Sequence, residues 1–418
     1  MAAGFICIFT LTMKKFFSFR AIAQKSILLA KRFPVSILLI VCYASLNFAL
    51  INHSDHIKNL PFQLYIFLSL GSVISIAAVL WLEDFVSEPK QYIITAAITL
   101  LWGVYCFFLL SSDKLNTFRI VELFAIGITA YLAMFFISFL KKDKDRAFWK
   151  FTMQMIAQLF LAASFGIIIC AGLFIALWAV EKLFDIKFGD LFDLYAYLAI
   201  FCYALFSPLY FLANIPGKVA KHNEEISLNK ISKIFALYIL TPLAAIYAVI
   251  LYVYLIKIIV VWELPNGLVS YLVSSLMCVG LFIITLLYPA RFSLCRYFGL
   301  LMLPLLALMS VGILRRFDDY GITILRGYVL LLNLWAYGIC IHLFITKAQR
   351  IKWIPISFAA IILLSSVGPW SIPNITKYIL TAEVNSHPDL DQMAPEDREK
   401  IENKRKYLRE TYDEEFRR

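Results

Sequence analysis

Runs of about twenty apolar residues, separated by short polar segments, recur from Phe33 almost to Trp370. A hydrocarbon core about 30 Å thick needs about 20 such residues per crossing helix. The pattern predicts spans near 33–51, 62–82, 91–110, 118–140, 153–180, 191–213, 234–261, 268–288, 295–314, 323–345 and 352–370. The expected fold is therefore all-α, a polytopic transmembrane helical bundle of about eleven spans. The fifth and seventh runs are longer than a bilayer requires, which implies tilt or a helical extension past the headgroups. Pro304 lies mid-span, with Pro208 and Pro242 nearer span ends, and each predicts a kink. Ala162, Gly166 and Cys170 recur every four residues, as a close-packing helix face does.

The flanks differ from the runs. Between Lys14 and Arg32, basic residues alternate with Phe16, Phe17, Phe19, Ile22, Leu28 and Leu29, the composition of a helix lying in the cytoplasmic interface. Residues 1–32 thus read as an amphipathic arm. Met13 is its natural start, since residues 1–12 lack the basic n-region and cleavage site of a signal peptide. Residues 33–371 form the membrane domain and 372–418 a charged extracytoplasmic tail. The tail is expected to be helical from about 395, where Ala394-Pro395-Glu396-Asp397 puts proline and acids in a first turn. Ile401, Leu408 and Tyr412 give it only a narrow apolar stripe, that of an exposed helix or the start of a further domain.

With 61% of 418 residues hydrophobic and 16% charged, the chain holds more apolar side chains than a soluble core could hide, so lipid is the solvent for most of it. The formal charge of +11 lies in short loops, which argues for topology and against nucleic acid as a partner. One set of flanks carries 21 Lys and Arg: the arm, Lys90, Lys141 to Lys150, Lys218 to Lys233, Arg291 to Arg296 and Lys347 to Lys352. The alternate loops carry 7, namely Lys58, Lys114, Arg119, Lys182, Lys187, Arg315 and Arg316. This bias places the N-terminus in the cytoplasm and the C-terminus outside. Trp81, Trp178, Trp262, Trp353 and Trp370 fall near span ends, as interfacial anchors do. The eight cysteines show no CxxC spacing and read as small hydrophobes.

Ionisable groups at mid-depth would mark an ion path, but Glu122, Lys257 and His342 each lie about one turn from a span end, where they can snorkel to the headgroups. Gln154, Gln158 and Asn333 suit hydrogen bonding between helices. No GxSxG, HExxH, P-loop or GxGxxG is present, so no catalytic residue and no cofactor is assigned. His53-Ser54-Asp55-His56 reads as a solvated loop, and no metal site is expected. The densest polar cluster joins the ninth and tenth spans: Arg315, Arg316, Asp318, Asp319, Tyr320, Gly321, Thr323 and Arg326. Thr323 is placed to cap the tenth helix. Arg326 would then sit in its first turn, where a cation is unfavourable unless paired. Asp318, Asp319 or Glu263 is the expected partner. Either the pair pins the turn, or the helix terminus and arginines bind an external anion such as phosphate or carboxylate.

Certain motifs run through this region: Arg32-Phe33-Pro34, Tyr238-Ile239-Leu240-Thr241-Pro242 through Lys257, Trp262-Glu263-Leu264-Pro265-Asn266-Gly267 and Tyr288-Pro289. They continue with Arg316, Tyr320-Gly321-Ile322-Thr323, Arg326, Tyr328, Leu334-Trp335 and Gly368-Pro369-Trp370-Ser371. In these the chain resembles the bacterial family called domain of unknown function 4153. The resemblance implies a multi-pass inner-membrane protein and leaves activity open. Members of that family usually continue into a longer extracytoplasmic part, whereas this chain ends at Arg418. The functional expectation is binding of a small anionic or lipid-linked ligand at the outer face, in transport or envelope sensing. The alternatives are a transferase using a polyprenyl-phosphate donor and a helical scaffold for a partner protein. On the 21 to 7 bias, a reporter active only outside the cytoplasm is expected to work when fused after Ser371 and to fail near Lys144. The reverse activities would overturn this orientation.

Overall fold

The computed structural model describes residues 19–51, 62–109, 117–141, 144–184, 191–225, 230–261, 268–290, 294–387 and 395–412. Among them there is no strand, and the protein is an all-α polytopic bundle. Ten helices are long and apolar enough to cross a membrane. The eleventh apolar run forms a helix of 14 residues, Trp353–Ser366, about 21 Å long and so short of the hydrocarbon thickness. The proposed start at Met13 and the His53–His56 stretch lie outside the described residues.

The chain divides into two compact units, Met1–Ser112 with Phe151–His222, and Asp113–Lys150 with Asn223–Arg418. In the first, α1 (Phe19–Arg32) is followed by α2 (Pro34–Ile51), α3 (Phe62–Leu82) and α4 (Glu88–Leu109). Helix α2 packs on α3, where the buried hydroxyls of Ser36 and Ser75 meet at 2.7 Å, and α3 packs on α4. Helix α6 (Asp145–Phe184) is 40 residues long, about 60 Å. It begins in the second unit and continues in the first. Helix α7 comprises Leu191–Ile200, a π turn Phe201–Phe206 and Ser207–Ala213. Gly166 of α6 allows close approach here, since a Cβ would collide with Ser207 Oγ. Its neighbours Ala162 and Cys170 are buried.

The two prolines nearer span ends are accommodated by the same device. Pro208 has no N–H, and its ring would clash with the carbonyl four residues back. The preceding π turn shifts the pattern by one residue, so that Ser207 donates both its N–H and its hydroxyl to the Cys202 carbonyl. Thr241, before Pro242, does the same to Ala236. Hydrogen bonding is thus repaired in a medium that offers no water.

A short helix α8 (Lys218–Lys221) closes the first unit with a buried charge cluster. Lys221, fully buried, donates to Glu83 Oε1 at 2.7 Å and to the Leu80 carbonyl at 3.0 Å, and lies 3.1 Å from Asp84 Oδ1. Arg32 forks onto both Glu83 oxygens at 3.2 Å and donates to the carbonyls of Ile215 and Pro216. His222 Nε2 is 3.0 Å from Asp84. The cluster ties the end of α3 to the α1–α2 junction and to the segment after α7.

The second unit contains α5 (Thr117–Phe136) and a jointed α9 (Lys230–Ile234, π turn Phe235–Leu240, Thr241–Val261). These are followed by α10 (Leu268–Leu287), α11 (Leu294–Tyr320), α12 (Ile324–Ile345), α13 (Trp353–Ser366), α14 (Ile372–Asn385) and α15 (Pro395–Tyr412). Its core is built from α9 to α12 around Leu251, Val273, Leu276, Met302, Leu305 and Leu343. Pro304 stays inside continuous α11. Asn333 donates to Ser310 Oγ at 2.7 Å, which joins α12 to α11.

Removing one member of a buried ion pair leaves the other charge without compensation, which typically costs about 3 to 5 kcal/mol. Lys221→Met is therefore expected to lower the thermal unfolding temperature of the detergent-extracted protein sharply. A melting curve matching the unmodified protein would show that the cluster contributes nothing.

Candidate functional site

The cluster singled out in the sequence lies at the end of the second unit formed by α11, α12, α14 and α15. Thr323 is the N-cap of α12 by backbone geometry, yet its side chain makes no capping bond. The Ile324 N–H donates instead to the Tyr407 hydroxyl of α15 at 3.1 Å. Arg326 is half-buried and donates to the Gly321 carbonyl at 2.8 Å. Gly321 has φ +74°, and a Cβ there would lie 2.8 Å from Lys404 Cε and 3.4 Å from Leu380. Lys404 is buried and pairs with Glu383. Arg315 and Arg316 are exposed in the last turns of α11. The side chains of Asp318, Asp319 and Tyr320, and Glu263 altogether, fall outside the described residues, as does the expected pairing of Arg326 with an acid.

The tail was expected to expose a narrow stripe, but that stripe is covered. Leu408 packs against Leu380 and Val384 of α14, with Tyr407 and Tyr412 beside them. The Tyr412 hydroxyl donates to the Pro373 carbonyl at 2.7 Å, and burial pushes its pKa up. Glu122, expected to snorkel, is buried and pairs with Arg119 one turn back at 2.6 Å. Lys257 is exposed. His342 Nε2 donates to the Arg350 carbonyl at 3.0 Å.

A different group, read from sequence only as topology signals, surrounds a cavity of about 410 Å³ in the second unit. Five bases border it, Lys144, Arg146, Arg296, Lys347 and Arg350, against two acids, Asp145 and Glu224. Both acids are already engaged: Asp145 Oδ1 accepts the Lys352 N–H at 3.1 Å, and Glu224 lies 3.4 Å from Lys144 in an exposed pair. Arg296 is held over the Tyr297 and Phe344 rings at 4.9 and 5.4 Å, contacts that aim a guanidinium without neutralising it. Its Nε is buried, with no hydrogen-bond partner among the described residues. Lys347 and Ala348 also line the cavity, both left-handed with φ of 53° and 55°. Neither is glycine, and such a conformation costs each roughly 1 to 2 kcal/mol. Strain of this kind persists where the surroundings hold it, and it concentrates at binding sites. Here Ala348 N–H is held by the Leu343 carbonyl at 2.9 Å, and the Gln349 carbonyl by the Tyr288 hydroxyl at 3.1 Å.

Fold and sequence together define a multi-pass α-helical membrane protein. It belongs to the family described as Domain of unknown function (DUF4153), whose model matches residues 35–387. The chain is also 26% identical over 230 residues to Uncharacterized protein PM1469 of Pasteurella multocida (strain Pm70). That match covers 54% of this chain and 39% of the relative, so it spans well under half of the relative's length. No solved structure matches the chain.

The approach of Gly321 to Lys404 supplies a test of tail docking. Gly321→Ala adds about 1 to 2 kcal/mol of left-handed strain and drives a Cβ into the Lys404 methylenes. Trypsin is expected to cut within residues 395–412 faster in this variant than in the unmodified protein. Equal protection would mean that α15 does not depend on this contact.

Proposed function

We propose that this is a bacterial cytoplasmic-membrane protein that binds an anionic group, a phosphate or carboxylate, in the Arg296 pocket. One observation carries the reading: the Arg296 guanidinium, held over two aromatic rings and with no hydrogen-bond partner for its Nε among the described residues, borders a cavity where bases outnumber acids five to two. A carboxylate or phosphate satisfies such a donor in a planar, directed way that water matches poorly. On the loop-charge bias the pocket opens to the cytoplasm, because Lys144, Arg296 and Lys347 to Arg350 all belong to the basic set of loops.

This reading moves the ligand away from the cluster around Arg326. There Leu380, Lys404 and Tyr407 occupy the space beside Gly321 and the α12 N-terminus. That crowding supports a pinning role for Arg326, with the tail helices as the clamp. Transport or sensing of the bound anion remains the proposed context. A transferase or a scaffold finds less support, since the strained, basic cavity is of ligand size.

Isothermal titration of the purified protein with glycerol 3-phosphate, a soluble phosphate monoester, tests the proposal. Binding is expected and should weaken as salt screens the exposed bases. Arg296→Gln should remove a charged hydrogen bond worth about 1.5 to 3 kcal/mol, a loss of roughly tenfold or more in affinity. No heat from the unmodified protein, or equal affinity in the variant, would refute it.

A further inference from the structure

A second cavity, of about 390 Å³ and lined almost wholly by apolar groups, runs along α9, α10 and α11. It shares Ile284, Leu287 and Cys295 with the basic pocket, so one set of side chains walls both. Tyr297, whose ring supports the Arg296 guanidinium, also lines this groove. On α9 the groove side carries Thr241, Ala244, Ala245 and Ala248, in a span otherwise rich in Leu, Ile, Val and Tyr, and these short side chains leave the room. The π turn Phe235–Leu240 brings Leu237 onto the same wall. Departures of this kind from regular helix are frequent at binding sites.

From this adjoining arrangement we infer that the pocket's occupant is an anionic lipid, its phosphate at Arg296 and an acyl chain in the groove beside Ala244 and Ala245. The inference rests on the anion-binding reading and names the ligand class for that same site. In a bilayer the groove is no more apolar than the surrounding lipid tails, so burial of the chain supplies little selectivity. Selection comes from the charged headgroup, and the groove sets where the chain leaves it. A neutral or zwitterionic lipid would fill the groove equally well but would bring no net negative charge to the pocket. A free phosphate ester would satisfy Arg296 and leave the groove to bulk lipid.

Native mass spectrometry of the full detergent-extracted chain, offered phosphatidylglycerol or phosphatidylcholine, separates these cases when run beside titration with glycerol 3-phosphate. The unmodified protein is expected to retain phosphatidylglycerol at least about tenfold more than phosphatidylcholine. Ala245 is exposed on the groove, so Ala245→Trp plugs the groove from outside without entering the core, and Ala244→Leu is a milder plug. Each is expected to lower retention of phosphatidylglycerol about tenfold with glycerol 3-phosphate affinity unchanged, and Ala245→Trp with melting temperature unchanged as well. Arg296→Gln should lose both ligands. Undiminished lipid retention in folded Ala245→Trp and Ala244→Leu, with glycerol 3-phosphate still bound, would overturn the lipid inference and leave the anion pocket standing. Equal retention of the two lipids would also overturn it. Indifference of both ligands to Arg296→Gln would overturn both readings.

Discussion

Lipid offers no hydrogen bonds, so every backbone N–H and C=O within the hydrocarbon region must find its partner inside the protein. That constraint accounts for the helices and for what happens where they are interrupted. At Pro208 and Pro242 the chain does not simply break. It widens by one residue, and the preceding Ser207 or Thr241 turns a hydroxyl back onto the carbonyl five residues earlier. Burial imposes the same need at the start of α12, where the Ile324 N–H, without a partner in its own helix, is met by the Tyr407 hydroxyl.

Charge is subject to the same rule with larger penalties. Lys221 and Glu83 are tolerable in the interior of the first unit because carboxylates and carbonyls surround the ammonium and the Arg32 fork takes the remaining carboxylate oxygen. A buried pair of this kind adds little net stability, but it makes one arrangement of α1, α3 and α8 far better than its neighbours. In the second unit the balance at the Arg296 pocket is different. Its carboxylates are already used, its bases are in excess, and two non-glycine residues are held left-handed on its wall. On the proposed reading, the strained loop and the Arg296 guanidinium together favour an anion here.

The membrane helices were legible because twenty consecutive apolar residues are a strong one-dimensional signal, and the interhelical role of Asn333 followed from its depth. The length of α13 was not, since the run from 352 to 370 looks continuous, yet Val367 leaves the helix and Gly368 turns at φ +89°. The clamp of Arg32, Glu83 and Lys221 was invisible because its members are 51 and 138 residues apart and each sits in a loop or helix end where charge is ordinary. Thr323 looked like a cap by residue type, but a tyrosine 83 residues beyond Ile324 supplies the bond. The pocket was hidden differently. In the sequence Arg296 and Lys347 read wholly as topology, and nothing in Lys347-Ala348 announces a left-handed turn, because neither residue is glycine or asparagine.

The central claim is that Arg296 holds an anion, and density at its guanidinium is the most direct evidence for or against it. Electron cryo-microscopy of the protein in nanodiscs rich in phosphatidylglycerol should show a phosphate-sized feature within about 3 Å of the Arg296 guanidinium, continuous with a tail beside Ala244 and Ala245. Arg296 found instead bonded to a carboxylate of its own chain, with the cavity closed, would contradict the account.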